Sequence, residues 1–536
     1  MPRMSRLSLV KPAATLAAIA GTVAISAMLM ADDPTPQATN GMDLSVSAVS
    51  ATTGGSPSFT VHTAGVAAGM FGLTMGTTSC NVGNVYVPFQ AAMQFNHPYI
   101  VQNVYRTTAD GRLEHLAASW IKHAFSSAST SQAAVAGPNG QPACGTGSCD
   151  GIGGSRMGFN CADTYGAGLN ASTYYLGPRS ELKSNDVGFT AAGTLPAGRT
   201  WLGWNPRGAF FDNYTTVSGQ DQRATTGQND GARTYTTGST STPWKFCYLR
   251  DDEINAAALG TTGRIFMEAY YVVNGDVAKL NNHAWRRYRV TGNRAFTMDG
   301  PHTFGPVLLS WGDQQQLAQP TTGGSVYVSS RVVPAGTNTW RYEYNVYNLD
   351  YDKEIAGLQF STLAVAVKEG ISFRQPRQTA PAIFPNAAYD NQNWVSSLSA
   401  AGDQVVFSPV ANPVDGQGNA LQRNTIRWGT MYTFHYTSNL PPRSTGVVTI
   451  TGRADRPGDV SEMFANVSVP RSPADVIGAG GTAPDGTVDG DDFITFINAF
   501  AAGQPAADIA AGGDIGADGT VDGNDFIMFI NWFSLS

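Results

Sequence analysis

Near its carboxyl end the chain carries PDGTVDGDDFITFINAF, residues 484–500, and 33 residues later ADGTVDGNDFIMFINWF, residues 517–533. Closely spaced carboxylates repel one another unless a cation lies among them. The repeated aspartates therefore point to metal ligation. Their spacing fits the calcium loop of about 12 residues, whose oxygen ligands fall at positions 1, 3, 5, 7, 9 and 12 around a glycine at position 6. In the second copy Asp514 takes position 1, Asp518 position 5, Gly519 position 6, Thr520 the carbonyl of position 7, Asp522 position 9 and Asp525 position 12, with Gly516 at position 3. In the first copy Asp485, Gly486, Thr487, Asp489 and Asp492 take positions 5, 6, 7, 9 and 12, and Gly481 stands where the first aspartate belongs. Asp475, equivalent to Asp508, would supply that ligand through a loop lengthened by six residues. Two Ca2+ ions are expected, because this hard cation accepts about six to eight oxygens in flexible geometry.

Each loop runs into an apolar stripe at helical spacing, Phe493, Phe496, Ile497 and Phe500 in one copy and Phe526, Phe529, Ile530 and Phe533 in the other. Between residues 474–500 and 507–533, 16 of 27 positions are identical, which makes the unit a duplication. The stretch RSPADVIGAGG before the first loop is too rich in Gly and Pro for an entering helix, so each loop feeds a single helix. Two such helices hold little core, and bound ions would act as staples.

From Ala474 to the end the chain resembles the dockerin module, a tandem of calcium loop plus helix, type I-like and of the Gly- and Ala-rich kind. The resemblance implies docking onto a cohesin-like partner on a scaffold or cell surface. It also implies that partner choice rests on loop positions 10 and 11, which are Gly490 and Asp491 in the first copy and Gly523 and Asn524 in the second. A calcium-stabilised tail without a partner is the alternative.

Composition frames the remainder. With +3 before residue 32 and ten aspartates after residue 471, the total of −7 leaves residues 32–471 neutral. Such a body offers no basic footprint for nucleic acid. Residues 1–31, with Arg3, Arg6 and Lys11 before an Ala-rich apolar stretch, read as a signal peptide, so a secreted or surface-attached protein with no membrane span after cleavage is expected; a retained anchor is the alternative. In an exported chain Cys80, Cys144, Cys149, Cys161 and Cys247 read as disulfide partners with one left over, and Cys144 with Cys149 could close a small loop.

At 536 residues the chain exceeds one core. Its 60 glycines, 29 prolines and low charge suit strands and turns, so the expected class is mainly β with a small α-helical C-terminal module. The expected units are a β-rich region over 43–323, a β-sandwich over 324–455 and the tail over 474–536. TWRYEYNVYNLD alternates Trp340, Tyr342, Tyr344 and Val346 as a half-buried strand does. RLEHLAASWIKHAF reads as a short helix or a strand, and the turn-rich stretches 132–155 and 212–243 as long loops.

Catalytic signals are weak. His97, His115 and His123 with Glu114 lack the spacing of a metal motif, no GxSxG elbow occurs, and Glu181, Asp186, Asp212, Glu253 and Glu268 are candidates for a carboxylate pair only by being present. Trp201, Trp204, Phe210, Phe211 and Tyr214 suit loop anchoring before sugar stacking. Three readings result: a non-catalytic exported β-protein attached through its tail, a dockerin-borne glycoside hydrolase acting on polysaccharide, and a secreted lectin-like protein.

Overall fold

Strands with an apolar residue at alternate positions must cover one face, and this chain covers its strands in layers. The computed structural model describes residues 41–49, 58–88, 99–124, 156–158, 161–172, 175–177, 179, 246–273, 276–319, 324–351, 354–364, 366–377, 390–418, 421, 423–453, 462–477, 484, 486–511 and 514–535. The segment 1–31 and the stretches 132–155 and 212–243 lie outside them. The described residues are mainly β-strand, with the two longest helices at the C-terminus.

Residues 314–470 build two five-stranded antiparallel sheets. One runs in the order Gln314–Ala318, Val326–Gly336, Thr339–Asn348, Thr430–Ser438 and Glu369–Arg374; the other runs Val395–Leu398, Gln404–Ser408, Ile355–Ser361, Pro442–Gly452 and Glu462–Pro470. Tyr342, Tyr344, Val346, Phe360, Phe434, Val448 and Ile450 form one core between them. Tyr344 stacks on Phe360 with ring centres 4.2 Å apart, and its hydroxyl donates to the Ser468 carbonyl at 2.8 Å. Each such aromatic contributes about 1.5–3 kcal/mol by leaving water.

The opposite face of the strand Thr339–Asn348 is buried too, with Glu343, Asn345 and Tyr347 at 0 % exposure. A third layer accounts for it. A sheet ordered Tyr175–Gly177, Ile121–His123, Tyr99–Thr107, Arg264–Val272, His283–Gly292 and Ala295–Phe304, with Leu113–Ala118 also on Tyr99–Thr107, packs Tyr99, Val101, Tyr105 and Tyr270 against Tyr347, Trp428 and Met431. RLEHLAASWIKHAF is thus two strands, and Leu113 and Leu116 lie in different cores because they face opposite ways. The other side of this sheet shares a core with strands of two three-stranded sheets, among them Leu44–Val49, Met70–Met75 and Cys247–Arg250.

One residue bolts the layers together. The buried Arg179 donates from Nε to the Ser119 carbonyl at 3.0 Å, from Nη1 to the Gly429 carbonyl at 2.5 Å, and from Nη2 to the Gln102 carbonyl at 2.9 Å and Asn103 Oδ1 at 2.8 Å. Trp428 Nε1 returns a bond to the Arg179 carbonyl at 2.9 Å. Around it Met431 N donates to His115 Nδ1 at 3.1 Å and Thr433 Oγ1 to the Leu113 carbonyl at 2.9 Å. Replacing Arg179 with methionine removes its bonds to four buried acceptors and strands two of them, the Ser119 carbonyl and Asn103 Oδ1, so urea denaturation of the full chain should show a loss of about 3–5 kcal/mol. A loss below about 1 kcal/mol would remove the bolt from this account.

Candidate calcium-loop module and the acids of the body

The tail is built by one carboxylate used twice. Asp489 caps the helix Gly490–Ala501, its Oδ1 accepting from Asp491 N at 2.9 Å, while Asp492 reaches back with Oδ2 to Asp489 N at 3.0 Å. Asp492 Oδ1 also accepts from Val476 N at 2.7 Å and Ile477 N at 2.9 Å, which clasps the loop's entry to its exit. The second copy repeats the arrangement before the helix Gly523–Leu535. Asp525 Oδ2 accepts from Asp522 N at 2.8 Å, and Oδ1 accepts from Ile509 N at 2.7 Å and Ala510 N at 2.8 Å. Both clasp carboxylates are buried.

Within the second loop Asp508 Oδ1 accepts from Asp518 N at 2.9 Å and Oδ2 from Gly519 N at 2.8 Å, so the aspartate ahead of the loop folds onto positions 5 and 6. Asp518 Oδ1 accepts from Thr520 N at 2.9 Å and Asp522 Oδ1 from Asn524 N at 2.7 Å. Gly486 and Gly519, at loop position 6, have φ of +94° and +88°, a region that favours glycine. Asp475 is buried, Thr487 and Thr520 are exposed, and Asp485 and the side chain of Asp514 lie outside the described residues. Among the described residues no three His, Cys, Asp or Glu side chains converge as a metal-binding group. The donor chemistry of the loops is nonetheless that of a hard cation, because every candidate ligand is an oxygen.

The two helices meet through their phenylalanines. Phe496 stacks on Phe529 at 4.0 Å with ring planes 5° apart, and Phe493 meets Phe533 at 5.5 Å as Phe500 meets Phe526 at 5.6 Å. Since residues 33 apart are equivalent, these last two contacts exchange under a two-fold rotation, and the central stack lies on the axis. Gly490, Asp491, Gly523 and Asn524 are exposed at the helix starts. One turn further on, Ile494 and Ile527 are 60 % and 59 % exposed. Sequence reasoning missed this pair, whose signal was identity in both copies at a position off the phenylalanine stripe.

In the body the described candidate acids hold structure. Glu268 is buried, its Oε1 accepting from Asn103 Nδ2 at 2.8 Å and the Tyr105 hydroxyl at 2.9 Å and its Oε2 from Val307 N at 2.8 Å. Burial pushes its carboxyl up, against these donors and Arg179. Glu253 is held by Arg374 Nη2 at 2.5 Å and Arg377 Nη2 at 3.1 Å. His115 stacks on Tyr105 at 4.3 Å, and its Nε2 bonds the Ala117 carbonyl at 3.0 Å. Glu181, Asp186, Asp212, His97, Trp201, Trp204, Phe210, Phe211, Tyr214, Cys144, Cys149 and the side chain of His123 lie outside the described residues. Cys80 and Cys161 are disulfide-bonded, and Cys247 is a buried free thiol. Among the described residues no helix is long and apolar enough to cross a membrane. Compared with known proteins, the chain matches no family model and no curated sequence.

Two measurements follow from these contacts. Phe529→Ala removes half of the central stack at a fully buried site, a change worth about 3–5 kcal/mol; limited proteolysis should then cleave within 472–535 at least about tenfold faster while the melting of the body stays unchanged. Equal cleavage rates would place the tail's stability elsewhere. Acid is the second probe. Burial lowers His283 and His302 to about 3 and His62 and His435 to about 4 from an ordinary 6.5, so the unfolded chain takes up protons first and stability falls as pH drops below 6.5. Asp276, raised to about 7 by burial beside Asp43, and Glu268, raised by burial, oppose this, because the folded chain protonates them first. The four histidines outnumber them, so the melting temperature should fall between pH 6.5 and 4.5, with a shallower slope in His283→Gln; each fully buried histidine contributes at most about 1.4 kcal/mol per pH unit. A flat profile would contradict their neutrality.

Proposed function

We propose that the chain is an exported β-protein fastened to a cohesin-like partner through its calcium-binding, dockerin-like tail, with a body that binds or builds rather than catalyses. The observation that carries this reading is the two-fold tail. Its phenylalanines pack on each other with Phe493 and Phe526 still partly open to water, and the more exposed Ile494 and Ile527 recur beside them on both helices. A module that existed only to close the C-terminus would have no need to repeat an apolar residue facing water at both related places.

Calcium fits the donor set. Asp518 uses one oxygen on a backbone N–H and leaves the other for an ion, while Asp522 Oδ1 takes the Asn524 N–H and its Oδ2 meets the Asn524 amide only at 3.5 Å, a weak bond an ion would replace. In the second loop Asp508, Asp514, Asp518, Asp522, the Thr520 carbonyl and the remaining lone pair on Asp525 Oδ2 would hold it. In the first, Asp475, Asp485, Asp489, the Thr487 carbonyl and Asp492 would do so. A bound ion would cancel the repulsion among these carboxylates and lock the start of each helix.

Docking by a two-fold surface has a consequence that can be measured. Calorimetric titration of CaCl2 into the chelator-stripped full chain should register two ions, and recombinant cohesin modules should bind in calcium but not in EDTA. Ile494→Asp or Ile527→Asp alone should weaken binding only about twofold, since the related face remains, whereas the double variant should weaken it about 100-fold or more. Absence of calcium uptake, or cohesin binding untouched by the double variant, would overturn the reading.

A further inference from the structure

Where the N-terminal sheet meets the sandwich, charged side chains form a ladder. Glu343, at 0 % exposure, accepts from Arg331 Nη2 at 2.6 Å and Arg341 Nε at 2.6 Å; Arg341 Nη2 and Arg112 Nε reach Asp110 at 3.0 and 3.2 Å. Glu114 takes Arg106 Nη2 at 2.7 Å and Arg112 Nη1 at 4.0 Å, and Arg374 spans Glu114 at 3.9 Å and Glu253 at 2.5 Å, where Arg377 also binds. Six arginines therefore share four carboxylates, an excess of two positive charges, and none of the six arginine side chains is more than 34 % exposed. Guanidinium groups do not shed their protons. The balance has to come from outside the ladder.

The ladder ends in a crevice of about 500 Å³, within the range of about 300–1,000 Å³ for small-molecule sites, lined by Phe373, Arg374, Gln375, Arg377, Asn391 and Asn393 over Glu253. A second hollow of about 450 Å³, walled by Arg106, Arg250 and its partner Asp252, shares Glu253, Arg374 and Arg377 with it. Arg374 Nε donates no hydrogen bond among the described residues. Its neighbours are an aromatic edge and three amides, of which Gln375 is fixed by donating to the Asn391 carbonyl at 2.9 Å. Guanidinium forks match a carboxylate, and amides match hydroxyls as donor and acceptor together.

We propose that this crevice binds an acidic saccharide, with a uronate carboxylate against Arg374 and Arg377 and ring hydroxyls against Asn391 and Asn393. The site lies in the body and is independent of the tail, and EDTA in every assay keeps calcium out of the readout. The full chain is titrated by calorimetry with a galacturonate trimer, a neutral galactose trimer of equal length and inorganic sulfate. The uronate trimer should bind, weaken as salt rises, and lose at least about tenfold in affinity in Asn393→Trp, which fills the crevice without touching an arginine. Arg377→Gln should weaken it similarly, with thermal melting run alongside to separate binding from folding. The proposal is overturned if the uronate trimer does not bind, if the neutral trimer binds equally well, if Asn393→Trp binds like the native chain, or if sulfate displaces the uronate at equal concentration.

Discussion

A guanidinium sealed from water must spend its donors on the protein, and the layered body is arranged so that Arg179 can do so. Its acceptors come from three separate places in the chain, near residues 102, 119 and 429, so they line up only when the large sheet and the sandwich meet in one register. Gly429 has φ of +65°, and its carbonyl also accepts from Asn103 Nδ2 at 3.1 Å. A Cβ there would lie 3.0 Å from Arg179 Nη1, so a glycine is the residue that lets the turn deliver its oxygen. Apolar packing tolerates small slips, whereas a buried charge with fixed partners does not. Nearby Glu268 is kept by the same logic: its neighbours supply donors on both oxygens, and the Arg179 charge favours its ionised form.

The body was legible in part. Alternation in TWRYEYNVYNLD marks the strand and its inner face correctly, because Tyr342, Tyr344 and Val346 all enter the sandwich core. Its outer face misleads, since Glu343 and Asn345 look like residues meant for water. Glu343 is neutralised by two arginines, and Asn345 Oδ1 accepts from Thr433 Oγ1 at 2.6 Å. Polar residues satisfied by their own sheet beneath a third layer carry the same letters as polar residues satisfied by solvent, and no local pattern separates the two. Glu268 offered a clue, as the one acid inside RIFMEAYYVV. Arg179 offered none, because its partners are distant in sequence.

The tail was more legible because its information is local and written twice. Loop glycines, helix spacing and the phenylalanine stripe all fall within a single copy of the repeat, residues 484–500 and 517–533, and the second copy acts as an internal control. What the sequence could not resolve is the division of labour among carboxylates. Asp492 and Asp525 fit the last ligand position by spacing, and they also fit the third helical position of a capping box. Their oxygens take three backbone N–H groups in each copy, which ties the loop's entry to its exit. Three N–H bonds leave a lone pair on each carboxylate, so the clasp and a ligand role share the same two oxygens.

Duplication makes the halves of the tail alike, but the body meets them differently. Arg443, from the strand Pro442–Gly452, lays its guanidinium over Gly486, in the space a Cβ would need. Arg471 Nη1 approaches the Asp475 carbonyl at 3.4 Å. At the second loop the neighbour of Gly516 is the uncharged amide of Asn338, at a hairpin turn. The body is neutral overall and the tail holds ten aspartates without a single basic residue, so two arginines at one end bias where the negative charge rests. Guanidinium beside a carboxylate loop lowers the same repulsion that a cation lowers. A two-fold module set on an asymmetric neighbour therefore has loops in unlike surroundings, and the sandwich adds this asymmetry to the one already in the repeat, where Gly481 stands opposite Asp514.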